Sequence, residues 1–413
     1  MVILLAKAGA SLGLLVLLVV ALWQRPRLER LFARPEIPWL GVFWVLLRIV
    51  PFLIIYVWQG FDPQSDVRGY YYPIALGAGE GKMLYRDVYC PYSPFFGYWI
   101  APFLWFWNHA KMVVLVMTLV ELLAVWLTVR ERFTTEHRGA YLFRSLIYYL
   151  LPVPFVFCVM SGQEDVVLWL FALLAGRALA RQQAFRAGVW FTLGLLSTKA
   201  LFVLLGLPLF FMLKNKMRFM AAGVLVGVPV ALFFYWKTDL LFVQQPLEEG
   251  TYLKAPNLRS VLAPLIGEGI NRFQRIESYV GLLSTVALTG YVLLRRRLTD
   301  DRLAFALCYI LIFSWTTVVQ HNAISNYAYL FMLPLLFTMV DLNNRWAMVA
   351  LVLFNVGAAV HPTLWWRIGQ PFFYSFGQIN GPDYWLDYLT EVLLVGGFVV
   401  IALKAAGRLR QHV

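Results

Sequence analysis

Residues 2–34 read VILLAKAGASLGLLVLLVVALWQRPRLERLFAR, an apolar run interrupted by Lys7 and closed by Arg25, Arg27, Arg30 and Arg34. About 20 consecutive apolar residues are needed to carry a helix across a hydrocarbon core roughly 30 Å thick, and the first part of this stretch is long enough. No small-residue cleavage pattern ends the run, so a retained spanning helix is expected and not a removed signal peptide. Cationic residues at the end of a span favour the cytoplasmic side, which fixes a first reading of orientation.

The same pattern recurs along all 413 residues, which are 61% hydrophobic and only 14% charged. Soluble domains carry about 25% charged residues, so a soluble enzyme and a disordered chain are both excluded. No polar block of domain size interrupts the apolar runs, and residues 1–413 read as a single transmembrane domain. Three cysteines, Cys90, Cys158 and Cys308, have no metal-ligand spacing and form no disulfide framework.

An all-α polytopic membrane protein is therefore expected, because hydrocarbon tolerates no unpaired backbone. About eleven crossings are predicted, at 2–23, 38–59, 111–129, 139–160, 165–180, 219–236, 279–294, 303–319, 328–340, 346–361 and 386–403. With Arg25 to Arg34 inside, strict alternation also places Arg130, Arg138, Arg177, Arg186, Lys214, Arg218, Arg295 to Arg297, Arg345, Arg408 and Arg410 inside. The net charge of +13 is then an orientation signal, and nucleic acid is not expected as a partner. Two segments must not cross if this alternation holds. The apolar stretch between Arg186 and Lys214 is read as a re-entrant helical hairpin with Ser197, Thr198 and Lys199 at its tip. The stretch 92–108, broken by Pro94, Gly97 and Pro102, is read as a partly inserted helix. Long outer loops follow at 60–110, 237–278 and 362–385, and loops beyond about 12–15 residues are usually functional or disordered.

Ionisable residues deep in a bilayer are tolerated mainly as pairs. Arg48 and Glu121 fall at similar depth on two spans running in opposite directions, which predicts an ion pair between them. Lys199 has no partner evident in the sequence.

Three outer segments carry groups capable of chemistry. The first loop holds Asp62, Asp66, Arg68, Arg86 and Asp87; a carboxylate beside cations can take a hydroxyl proton while the cations hold a phosphate. Solvated loop charges are the plain alternative. The second segment is Gln163, Glu164 and Asp165 at a helix start, read either as helix capping or as a sugar or acceptor contact. The third runs from Gln320 to Pro334, where His321 could donate to a phosphate and Tyr327 lies nearby. His109, His137, His361 and His412 have weaker cases. Lys254 and Arg259 in the second long loop are further phosphate-binding candidates. No Walker loop, dinucleotide fingerprint, metal cluster or Gly-x-Ser-x-Gly elbow is present, so nucleotide hydrolysis is not the expected energy source.

This combination resembles the GT-C superfamily of integral-membrane glycosyltransferases, and within it the polyprenyl-phosphate-sugar-dependent mannosyltransferase branch. The resemblance is carried by SDVRGYYYP with GKMLYRDVYCPYSPFFGYWIAPF, by SGQEDVVLWLFALLAGRALARQQAFRAGVWFTLGLLSTKALF, and by HNAISNYAYLFMLPLL, together covering about residues 60–335. It implies Asp66 as general base, with Arg86, Lys199 and His321 near the donor phosphate, and Tyr92 in a Tyr-x-Pro element that here reads Tyr92-Ser93-Pro94. The reaction it implies transfers a hexose or pentose, mannose foremost, from a polyprenyl-phosphate donor to a lipid or glycan acceptor, with inversion and on the extracytoplasmic face of a plasma or inner membrane. Polyprenyl phosphate is a competent leaving group, so no metal or other cofactor is demanded, although the pairs Asp62/Asp66 and Glu164/Asp165 could hold a cation. A glycan polymerase or ligase with a diphosphate-linked donor, and a secondary transporter using Arg48, Glu121 and Lys199, are the alternatives.

Overall fold

The computed structural model describes residues 2–131, 133, 137–368 and 372–411, and His412 lies outside them. Among the described residues there is no strand, only one bridge between Leu84 and Val88. The helices in chain order are α1 (Val2–Trp23), α2 (Arg25–Phe32), α3 (Trp39–Trp58), α4 (Tyr72–Gly79), α5 (Phe96–Leu104), α6 (Ala110–Glu131), α7 (Arg138–Leu150) and α8 (Pro152–Met160). There follow α9 (Asp165–Ala180), α10 (Ala184–Ser197), α11 (Ala200–Met212), α12 (Lys216–Thr238), α13 (Leu241–Glu249) and α14 (Leu258–Ile266). The chain ends with α15 (Gln274–Leu294), α16 (Asp301–Val319), α17 (Ala328–Thr338), α18 (Arg345–Ile368) and α19 (Pro382–Leu409).

Eight of these helices are long and apolar enough to span a bilayer, or nine if the pair α7–α8 is one span. That pair bends by 62°, where Pro152 and Pro154 remove backbone donors and break the hydrogen-bond ladder. Two other expected spans, α9 and α17, have only 16 and 11 residues. Both are enclosed by other helices and need not match the hydrocarbon thickness by themselves. Helix burial sorts the bundle into layers: α16 is buried along most of its length, whereas α1 and α12 are apolar all round and mostly uncovered. Leu225, Val228, Leu232 and Phe233 on α12 point outward, a surface that only lipid can cover without penalty.

The loops divide between two ends. At one, Arg25 meets Asn343 at 2.8 Å, Glu29 meets His137, Arg177 meets Glu131 at 2.6 Å, and Gln182 reaches Asp301. These are the basic loops that the charge bias assigned to one side. At the other end Asp66, Gln163, Asn326, Lys199 and Lys254 come together, with residues of the second and third long loops joined through Tyr374 and Asn271. Exposed Trp58, Trp105, Trp236 and Trp366 ring this end, and Trp23 and Trp346 the opposite one, as interfacial aromatics do.

The stretch 186–214 forms a helical hairpin with the expected tip. Gln182 donates to Met212 O and accepts from Lys214 N, so the segment leaves and returns at one end. Its tip at Thr198 and Lys199 rises to the other end, where Ser93 N and Phe95 N donate to the carbonyls of Thr198 and Leu196. The close approach needs small residues: a Cβ on Gly194 would lie 2.6 Å from the Phe202 ring. Helix α5, of nine residues, is too short to cross and packs against this tip.

The expected Arg48–Glu121 pair forms and is bidentate, with Nε to Oε2 at 2.6 Å and Nη2 to Oε1 at 3.0 Å. Arg48 also donates to Tyr149 O, Tyr329 donates to Glu121, and both charged side chains are fully buried. Removing one partner of such a pair strands a charge and costs about 3–5 kcal/mol, whereas replacing both is often neutral. Arg48→Met or Glu121→Gln alone is therefore expected to lower the unfolding midpoint in detergent sharply, and the double variant to recover most of the loss. A double variant no better than the worse single one would show that the charges do not act as a pair.

Candidate active site

Three chain turns build the polar cluster between the helices. The first follows α3: Ser65 sits at φ +57° and Asp66 opens the π-helical turn Val67–Tyr71, which runs on into α4. The second lies between α8 and α9, where Gly162 adopts φ +58° and a Cβ would fall 2.6 Å from Val67 Cγ2. Only glycine meets both demands there, and it delivers Gln163, Glu164 and Asp165 into the interior. The third is the hairpin tip that presents Lys199.

Half-buried Asp66 accepts a hydrogen bond from Gln163 Nε2 at 3.0 Å, and Gln163 Oε1 accepts from Asn326 Nδ2 at 3.0 Å. Burial raises the Asp66 carboxyl above its ordinary range; the Gln163 hydrogen bond opposes this, the Glu164 charge adds to it, and Lys254 and Lys199 oppose it. Lys199 Nζ sits 2.6 Å from Asp165 Oδ1 and 3.0 Å from Glu164 Oε1, and over the Tyr327 ring at 4.8 Å. Tyr71 hydroxyl donates to Glu164 Oε2, and its ring packs edge-on against Tyr92. Lys254 pairs with Glu249 at 2.9 Å and is close enough to Asp66 and Tyr327 to act on their charge. Asp165 Oδ2 is buried without a hydrogen-bond partner.

A carboxylate with a raised pKa at the mouth of such a cluster, two ammonium groups behind it and aromatic faces beside it can bind a polyol and remove its proton. The sequence profile of glycosyltransferase family 87 matches residues 89–320, more than half of the chain. The chain belongs to that family. No curated protein matches it. Family 87 is of the GT-C type, which agrees with the resemblance read from the three segments; the matched range contains Tyr92, Gln163 to Asp165, Lys199, Lys254 and Arg259, whereas Asp66, His321 and Tyr327 lie outside it.

Within this family 87 glycosyltransferase, Asp66, Tyr92, Gln163, Glu164, Asp165, Lys199, Lys254 and Tyr327 share one cluster. His321 and Arg259 lie beside it. Lys254 N and Asn257 Nδ2 both bond His321 O, and burial lowers the imidazole pKa, so the ring is neutral near pH 7. Neither of its buried nitrogens makes a regular hydrogen bond. Arg259 is buried but committed to Glu277 and Asn271, both at 2.5 Å. Other residues do not join the cluster. Arg86 is exposed and forks onto Asp87, whose carboxyl that contact lowers to about 2. Arg68 is exposed, and Asp62 is exposed with Lys111 at 3.6 Å.

Lys199 corrects the expectation that it lacks a partner: its ammonium occupies the position between Glu164 and Asp165 that a cation would take. Tyr71, Asn326 and Glu249 went unread. Tyr71 and Asn326 belonged to quoted segments, but only the fold shows that they face Glu164 and Gln163. Lys199→Met leaves two buried carboxylates sharing one space, an expected cost of about 3–5 kcal/mol. Unfolding midpoints of Lys199→Met and of Lys199→Met with Asp165→Asn check this; the second variant should regain part of the loss.

Proposed function

We propose that this glycosyltransferase moves a sugar, mannose or another hexose or pentose, from a polyprenyl-phosphate donor to a hydroxyl of a lipid-linked or glycan acceptor. The reading rests most on Asp66, a half-buried carboxylate held by Gln163 and flanked by Lys254 and Lys199. The acceptor oxygen attacks the anomeric carbon as Asp66 takes its proton, the bond from that carbon to the phosphate oxygen breaks, and polyprenyl phosphate leaves with inversion. Lys254 and neutral His321 stabilise the departing phosphate, with Arg68 at the entrance and Tyr327 beside it. Gln163, Asp165 and the Tyr92 face position sugar and acceptor, Glu164 holds Lys199 in place, and Arg86, Asp87 and Asp62 line the rim. The basic loops at the far end support a reading in which the site faces the extracytoplasmic side of a plasma or inner membrane and the whole chain acts as one transmembrane domain. Both substrates then reach the site through surrounding membrane lipid.

Membranes containing the protein are incubated with radiolabelled polyprenyl-phosphate mannose and native lipid extract. Label should pass to a new product with wild type, and Asp66→Asn should lose about 100-fold or more of the rate. Equal transfer by both would remove Asp66 as the base, and no transfer from any polyprenyl-phosphate sugar would favour a diphosphate-linked donor or transport.

Proton abstraction requires the carboxylate, so the rate should fall as pH drops through the raised Asp66 pKa, above the ordinary value of about 3.9. Gln163→Ala removes a bond that favours the charged form and should move the acid limb of kcat/KM to higher pH. An unmoved limb would assign the titration to another group.

A further inference from the structure

A second cluster lies outside the transfer site, where α18 and α19 pack together. His361 on α18 faces Asp387 and Glu391, which are one helical turn apart on α19. All three are buried, His361 and Asp387 completely. Their ligand atoms lie within 4.8 Å of one another, with His361 Nε2 3.6 Å from Asp387 Oδ1 and 3.7 Å from Glu391 Oε1. Neither His361 Nε2 nor either oxygen of Asp387 has a hydrogen-bond partner. The other ring nitrogen, Nδ1, is 3.3 Å from Ser325 Oγ.

These separations are too long for hydrogen bonds. They resemble the spacing of two ligands on one ion: with metal–nitrogen and metal–oxygen bonds of roughly 2.0–2.2 Å, a tetrahedral angle sets nitrogen and oxygen about 3.4 Å apart. Two carboxylates in a dry helix interface also repel, and a divalent ion would cancel their charge where water cannot. A ligating imidazole commonly donates its second N–H to a nearby oxygen, which fixes the ring and its tautomer. Ser325 Oγ stands where that acceptor is needed.

We propose that His361, Asp387 and Glu391 form a divalent metal site, with zinc the ion that a mixed imidazole and carboxylate set of this size favours. The ion ties α18 to α19 and, through the Ser325 contact, anchors the turn Ser325–Tyr327. That turn supplies Asn326, the partner of Gln163, so the metal holds one wall of the cluster without touching the reacting atoms. The proposal does not depend on the donor or acceptor assigned above.

The test uses the detergent-purified full chain, stripped with a chelator and dialysed against zinc alone. Roughly one zinc per chain is expected, together with a higher unfolding midpoint, and a zinc absorption-edge spectrum should show nitrogen and oxygen neighbours without sulfur. Asp387→Asn or His361→Ala should abolish binding, and the milder Ser325→Ala should weaken it about 10-fold. No zinc bound by the wild-type chain would overturn the proposal and leave an imidazole and carboxylate cluster. So would a sulfur shell from the cysteines, or undiminished binding in folded Asp387→Asn. If the ligand variants fail to fold, the wild-type stoichiometry and spectrum still decide. A pure oxygen shell there would exclude His361 and sink the idea.

Discussion

A charge carried below the membrane surface has no water to return to, so it must find its counter-charge within the bundle. This constraint shapes the protein more than any single apolar contact. Arg48 on α3 is satisfied by Glu121 on α6 and by the carbonyl of Tyr149, and these contacts fix the rotation of three helices at once. Lys199 does the same for the hairpin tip by entering between Glu164 and Asp165. Neither pair is strong evidence of stability, since apolar replacements could do as well; what they specify is which helix faces meet.

The hairpin is the device that makes a deep site possible. A loop lying on the surface could present polar groups only to solvent. Here α10 and α11 rise from the basic end and deliver Lys199 to groups that descend from the opposite end, and the meeting point is walled by Tyr71, Tyr92 and Tyr327. The backbone at the tip is not left bare, because Ser93 and Phe95 donate to its carbonyls. Irregular backbone is tolerated at membrane depth only when it is enclosed in this way.

How much was legible in the sequence follows from the range over which each signal acts. Charge bias is a property of whole loops, and it sorted the loops correctly into two ends, including the hairpin whose two basic flanks share one end. Depth along a straight helix is simple arithmetic, and it found Arg48 and Glu121. The partner of Lys199 was not found because the tip had no visible counterpart at its own level; Glu164 and Asp165 were read as a helix cap or a sugar or acceptor contact, with room for a cation. Arg86 and Asp87 differ. The resemblance put Arg86 near the donor phosphate and the first outer loop offered Asp87 beside it, but the two pair with each other at the surface, outside the cluster. Asp387 and Glu391 recur at helical spacing inside an apolar run, a signal that was present, and His361 acquires meaning only when α18 is laid against α19.

The charge balance of the cluster bears on how a donor would enter. Four carboxylates, Asp66, Glu164, Asp165 and Glu249, face two ammonium groups, Lys199 and Lys254. A phosphate placed between Asp66 and Asp165 would meet more negative charge than positive. Lys199 is held from two sides by carboxylates that burial keeps close, so its charge is already spent. Lys254 differs, because its single partner Glu249 is half-exposed and can be rehydrated when the ammonium turns away. In the proposed reaction the phosphate therefore approaches from the second long loop, displacing Glu249 from Lys254 and meeting neutral His321. The sugar then points inward, toward Asp66, Gln163 and the unpartnered oxygen of Asp165. The proposed reaction thereby separates the two demands of its chemistry: it assigns the leaving group to the cation that can move, and the attacking hydroxyl to a carboxylate that Gln163 and Asn326 hold in place.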